Sequence, residues 1–263
     1  YVSGGYGFSR GFSTWKDYDI TERDNLAHPV RVDTLVEDAL LFAKEKGAGK
    51  PVFLFVHIYD AHYPYLPPPP WDEKFDEPAT LAEMQYRSYA YFKKRRLSKK
   101  RMARQISQYD ESIAYVDHTL GRLVKAWTDS DRPAWWIVTA DHGEEFGERG
   151  SWGHAHTLYR EALEIPLIVA GPGIAPAVRK ERAGTIDVSA TIAAMAGVSW
   201  GPGPGVDLRG RVPSRTFLAE TSRFDSARLS LQTATRRLDL DLTTGERAVY
   251  DTEVDPKENH ARG

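Results

Sequence analysis

Apolar positions recur at helical spacing in three stretches of the chain and run on unbroken in three others. Thr34-Leu-Val-Glu37 has the spacing of a capping box and opens an amphipathic helix with Leu35, Ala39, Leu40 and Ala43 apolar and Gly47 as its stop. Ser98 is the expected N-cap of a second helix, whose stripe runs Tyr109, Ile113, Val116, Leu120 and Leu123. His118 falls off that stripe and is expected on the solvent side. A third helix runs from Asp187 as its cap to Ala196, stopped by Gly197. The runs 51–57, 134–139 and 165–170 are short and continuously apolar, the pattern of strands buried on both faces of a parallel sheet. Residues 1–32, rich in glycine, aromatics and charge, have no period and read as a folded loop. Beyond the Gly- and Pro-dense residues 199–213 the texture changes to short alternating stretches (228–233, 238–242, 248–250) with a turn at Thr244-Gly245, a small antiparallel sheet. The order of elements predicts an α/β fold. A largely parallel sheet flanked by helices occupies 1–212, and a C-terminal antiparallel β subdomain occupies 213–263.

Composition narrows the function classes. The chain is 41% hydrophobic and 27% charged with a net charge of −2, which gives no reason to expect nucleic acid as a partner. It contains 0 cysteines, so disulfides, thiolate metal sites and a cysteine nucleophile are excluded within these residues. No apolar run reaches the ~20 residues of a membrane span. The sequence starts on Tyr1-Val2-Ser3 without methionine and reads as an internal start, a fragment or processed product. The basic stretch 93–104 reads as a solvated loop entering the second helix rather than a patch for an anionic partner.

Two of the expected strands end in polar clusters. The run 52–57 delivers His57, Asp60 and His62, and the run 134–139 delivers Asp141, His142, Glu144 and Glu145. Ligands bind beyond the carboxyl ends of strands in open α/β sheets, so two parallel strands would bring both clusters to one edge. The run of four prolines that closes IYDAHYPYLPPPP stiffens a loop over that edge; the other reading is a polyproline ligand. Asp141-His142-Gly143 offers a carboxylate and an imidazole at a turn that glycine eases, a suitable start for a divalent cation shell. An aspartate capping a helix beside an exposed histidine fits the spacing equally. His154 and His156 would share one face of an extended segment or belong to a solvated loop. Glu144, Glu145 and Glu148 read as surface charge.

Several segments in order resemble the sulfatase family of the alkaline-phosphatase-like superfamily. They are Gly7-Phe-Ser-Arg-Gly-Phe12, Phe53-Leu-Phe-Val-His-Ile-Tyr-Asp-Ala-His-Tyr-Pro64, Tyr109-Asp-Glu-Ser-Ile-Ala-Tyr-Val-Asp117, Thr139-Ala-Asp-His-Gly-Glu-Glu-Phe146, Leu158-Tyr-Arg-Glu-Ala-Leu-Glu-Ile-Pro166 and the stretch from Thr244 to Pro256. The resemblance implies an alkaline-phosphatase-like fold. It implies a metal-dependent sulfuric ester hydrolase that attacks sulfur with a formylglycine made from Cys or Ser. Asp141 and His142 would be metal ligands, for Ca2+ first, with Mn2+ or Zn2+ as alternatives because many relatives carry Asn where His142 stands. His62 would contact a sulfate oxygen or protonate the departing alcohol. His57 would line the pocket. His154 or His156 would replace a lysine that many relatives carry a few residues before the tyrosine matching Tyr159.

The nucleophile motif C/S-x-P-S/A-R does not occur. Arg211-Val-Pro-Ser-Arg215 ends like it but has Arg211 in the nucleophile position. The chain alone is therefore expected to be inactive, with the formylglycine in a missing N-terminal part. The expected substrate is a small-molecule or glycan sulfate ester, without nucleic acid or membrane span. Relatives are often exported or lysosomal, which implies an extracytoplasmic location: periplasmic, secreted or lysosomal. The alternatives are a phosphonate or phosphodiester hydrolase or phospho-group transferase of the same superfamily, and a non-catalytic binding homologue.

Overall fold

The computed structural model describes residues 2–18, 31–47, 49–77, 98–223 and 227–261. They fall into two compact units, the described residues up to Arg132 and those from Pro133 onward. This is a different partition from the expected division at 212/213. The first part of the basic stretch lies outside the described residues.

In the first unit, α1 (Val32–Lys46) packs on α2 (Lys99–Thr128). α1 buries Val32, Val36, Ala39 and Ala43, a stripe rotated from the expected one. Its start is not the capping box. Asp60, 28 residues away, accepts the Val32 amide at 2.8 Å and thereby caps the helix from outside. Gly47 stops it as expected, its amide bonded to the Ala43 carbonyl at 3.2 Å. Ser98 caps α2 as expected, its hydroxyl accepting the Arg101 amide at 3.3 Å.

The buried face of α2 is largely polar. Gln105, Gln108, Glu111, Ser112, Tyr115, Thr119 and Leu123 are inside, while Ile113 of the expected apolar stripe is exposed. Glu111 explains part of this rotation: its carboxylate accepts the Phe75 and Asp76 amides at 2.7 and 3.1 Å, tying down the loop that follows the 3-10 turn Trp71–Glu73. Arg122 and the Tyr115 hydroxyl both bond Asp33 of α1. His118 is exposed as expected.

The expected strand at 52–57 is extended but pairs in no ladder among the described residues. Phe53, Phe55 and His57 are exposed while Val52, Leu54 and Val56 are half-buried, an alternation of two that shows only one face covered.

The second unit holds three sheets. β1 (Trp136–Thr139) pairs with β4 (Leu167–Ala170), in antiparallel register with Val138 opposite Ile168. That pair is exposed, so these strands are covered on one side rather than two. No parallel pairing occurs among the described residues. β2 (Glu145–Phe146) and β3 (Trp152–Gly153) form a hairpin, followed by the single turn α3 (Arg160–Leu163). α4 (Ile186–Met195) is the expected third helix, and buried Asp187 organises its start by accepting the Gly184 and Val206 amides at 2.9 Å. Burial works against the Asp187 charge, yet Arg215 at 2.6 Å and these amides hold its carboxyl below the ordinary range. Arg215, the end of the motif look-alike, is thus a structural ion-pair partner.

The C-terminal sheet has four antiparallel strands: β5 (Phe217–Thr221), β6 (Arg228–Gln232), β7 (Arg236–Asp241) and β8 (Arg247–Asp251), in that order. β5 was missed by pattern; the others match. The mixed α/β organisation with a small C-terminal antiparallel sheet is as expected.

Candidate active site

Asp141 and His142 leave β1 at a turn that Gly143 makes possible by close approach. Its amide donates to the Ala162 carbonyl of α3 at 2.8 Å. A Cβ there would lie 2.1 Å from the Glu161 carbonyl oxygen, so no larger residue fits without moving backbone. The expected reason, an eased φ, is not the operative one, because Gly143 is not among the positive-φ glycines.

Glu145 and Phe146, just after Glu144, form β2, the first arm of the hairpin, in register Glu145 opposite Gly153. Consecutive strand residues point to opposite faces, so Glu144 and Glu145 diverge. Each then takes one histidine from the returning arm. Glu144 Oε1 accepts from His154 Nδ1 at 2.9 Å, and Glu145 Oε2 meets His156 Nε2 at 2.9 Å. Glu145 also accepts the Thr157 hydroxyl at 2.7 Å, and His156 Nδ1 donates to the His154 carbonyl at 3.0 Å. The reading of these two glutamates as surface charge is therefore corrected: their side chains are 6% and 0% exposed, and they hold the histidines. Glu148 instead turns back to accept the Phe146 amide at 2.7 Å.

The two histidines do not share a face. Ala155 between them has φ 70°, a left-handed turn that breaks the extended alternation. His154 remains partly exposed, and its ring stacks on His142 with centroids 3.9 Å apart. His156 is only 2% exposed, enclosed by Glu145, Ser151 and the His154 carbonyl. The hairpin thus gathers Asp141, His142, His154 and His156 in one place. Asp141 Oδ1 and His142 Nε2 are 3.7 Å apart, a separation two donors to one ion can share, and the Asp141 side chain is 77% exposed. The donor chemistry fits two positions of a divalent shell. Among the described residues no group of three such donors forms.

His57 and His62 belong to the first unit. His62 Nδ1 donates to the Tyr63 carbonyl at 2.7 Å, and its ring stacks on Tyr59 at 4.3 Å. Asp60, grouped with them by sequence, is the cap of α1.

One support was invisible to pattern reading. Arg149, at the hairpin tip, lies over the Tyr159 ring at 4.1 Å and donates to the carbonyls of Glu258 and Lys257 at 2.9 and 2.6 Å. Fully buried Arg237 pairs with Glu258 at 2.9 Å from the other side. Burial pushes the Glu258 carboxyl up, against the pull of Arg237.

A sequence model of the sulfatase family matches residues 2–198, three quarters of the chain, including Asp141, the site histidines and both glutamates that hold them. The chain belongs to the sulfatase family. A choline-sulfatase of Rhizobium meliloti is 33% identical over 93 residues, 35% of this sulfatase-family chain and 18% of that protein. A phosphoethanolamine transferase of Helicobacter pylori is 34% identical over 67 residues, 24% of this chain and 13% of the other. Among solved structures, a phosphonate monoester hydrolase of Silicibacter pomeroyi has a TM-score of 0.66 at 21% identity, covering 95% of this chain and 62% of that one. That likeness is one of fold. The sulfatase-family chain therefore spans less than two thirds of the length of the relatives it matches.

Proposed function

We propose that this chain supplies the metal-binding turn and part of the substrate pocket of a sulfuric ester hydrolase. The observation that carries the reading is the Asp141-His142 turn stacked against His154, within the stretch that matches the sulfatase family. Asp141 and His142 would hold one divalent ion, which when bound offsets negative charge on the ester's non-bridging oxygens. His154 then stands one ring away as the donor to a sulfate oxygen or to the departing alcohol oxygen. Glu144 accepts the Nδ1 proton of His154, which leaves Nε2 as the nitrogen oriented for this work. His62 and His57 are proposed as substrate contacts on the strength of the family resemblance of their segment. His156 differs from His154: its burial and its bonds to Glu145 and the His154 carbonyl suit a supporting role behind the pocket. The formylglycine nucleophile is assigned to residues outside this sequence, and the 263 residues alone are proposed to be inactive.

The test is to express the full-length gene product with its maturation enzyme and assay 4-nitrophenyl sulfate, with and without chelator. Metal-dependent release of sulfate is expected. Failure to turn over this or any of a panel of glycan and small-molecule sulfates would refute the reading. A second reading, phosphonate or phosphodiester hydrolysis, is favoured by the fold shared with a phosphonate monoester hydrolase. Faster turnover of an aryl phosphonate monoester than of the sulfate would select it.

A further inference from the structure

We propose that the C-terminal sheet is part of this site's machinery, with the Thr221 hydroxyl as a positioning group for His154. The proposal rests on the reading of His154 as a substrate contact. β5 and β7 place Thr221 and Arg237 on the same face of the sheet by register and alternation. Across that face runs the chain that carries the two histidines. Thr221 Oγ1 donates to the Ala155 carbonyl at 2.7 Å, and Arg237 donates to the Leu158 carbonyl at 2.6 Å.

The first of these bonds falls on the one residue whose backbone needs holding. Ala155 at φ 70° is in a region that residues with a Cβ disfavour, and it would relax toward an extended conformation if released. In an extended segment His154 and His156 return to one face. With His156 buried against Glu145, that change would swing His154 away from Glu144 and His142. The side chain of β5 thus sets the direction of a ring it never touches. Nothing in the sequence marks Thr221 for this: it lies 66 residues beyond Ala155 and outside the stretch that matches the family.

The test uses the full-length gene product and 4-nitrophenyl sulfate. Thr221→Val keeps the shape and removes the donor. It should lower kcat roughly tenfold, the scale of one lost hydrogen bond at a positioned group, with little change in KM. Thr221→Ser, which keeps the hydroxyl, should restore most of the loss. In a His154→Ala background, Thr221→Val should cost nothing further, because the ring it positions is gone. In protein labelled with 13C-histidine, the His154 ring signal should move in Thr221→Val and return in Thr221→Ser. If Thr221→Val matches the parent while His154→Ala is impaired, the positioning role is wrong and the reading of His154 stands. The same conclusion follows if the Thr221→Val loss persists undiminished in the His154→Ala background. If His154→Ala is as active as the parent, the reading of His154 itself falls and takes the proposal with it. Equal drops in melting temperature and activity for the Val and Ser variants would mean the residue only packs.

Discussion

Asp60 offers a test of the fold at a point where two forces oppose each other. Burial raises its carboxyl from the ordinary 3.8 to about 6, and the Val32 amide it accepts and the Arg31 charge lower it by less. A carboxyl raised on folding is more protonated in the native chain than in the unfolded one, so stability falls as pH rises between the two values. The contribution is fully present below about pH 4, is lost progressively up to about pH 6, and changes no further above that. At about 1.4 kcal/mol for each pH unit, that interval is worth about 3 kcal/mol. Asp60→Asn keeps an oxygen for the Val32 amide and carries no charge. The assay is urea unfolding of both proteins at about pH 4.5, about pH 5.5 and about pH 7.5. The variant should gain on the parent by about 2 kcal/mol across that range. A difference that stays constant with pH to within about 0.5 kcal/mol would show that the carboxylate is not desolvated in the cap and would refute the reasoning.

Three further outcomes follow from the hairpin. Gly143→Ala places a Cβ against the Glu161 carbonyl and should cost about 1–3 kcal/mol in a urea melt. It should also weaken metal binding by the full-length protein, measured by calorimetry; unchanged stability and affinity would contradict the close approach. Glu145→Ala removes the carboxylate from buried His156 and Thr157 and should destabilise by roughly 3 kcal/mol in chemical denaturation, with Glu145→Gln costing less. Glu144→Ala should leave stability within about 1 kcal/mol but lower kcat of the full-length protein, and an unaffected kcat would remove Glu144 from the site.

What could be read from sequence was what short-range chemistry decides. Ser98 caps its helix because its hydroxyl reaches an amide three residues on. Strands β6, β7 and β8 are legible because each pairs with its neighbour in sequence through a short turn, so period-two stretches separated by turn residues mark them. The failures are contacts between residues far apart in the chain. No local signal says that Asp60 caps a helix beginning at Val32. The apolar stripe of α2 misled because Glu111 serves a loop, and that requirement outranks the burial of Ile113. Glu144 and Glu145 read as surface charge because their histidine partners lie ten and eleven residues on, across a turn. The hairpin was nevertheless available as a signal: Gly147 and Gly150 punctuate the turn between Phe146 and Trp152. The hairpin's register sets Glu145 opposite Gly153 and Glu144 level with His154. Ala155 could not have been anticipated, since alanine carries no mark of a left-handed turn.

The bonds from Arg149 to the carbonyls of Lys257 and Glu258 bear on how the protein is made. They close across 108 and 109 residues of chain. A chain leaving the ribosome N-terminus first has completed Glu144, Glu145 and both histidines long before Glu258 exists. During that interval the hairpin has its own ladder, and Arg149 has Tyr159 and Glu161 but not its two carbonyl acceptors; Arg237, which also holds Glu258, is itself late. Final ordering of the site thus waits until the chain has been made as far as Glu258. A ribosome stalled in β8 would leave a nascent chain whose Asp141-His142 turn is complete in sequence while the Arg149 bonds to Lys257 and Glu258 are still unmade.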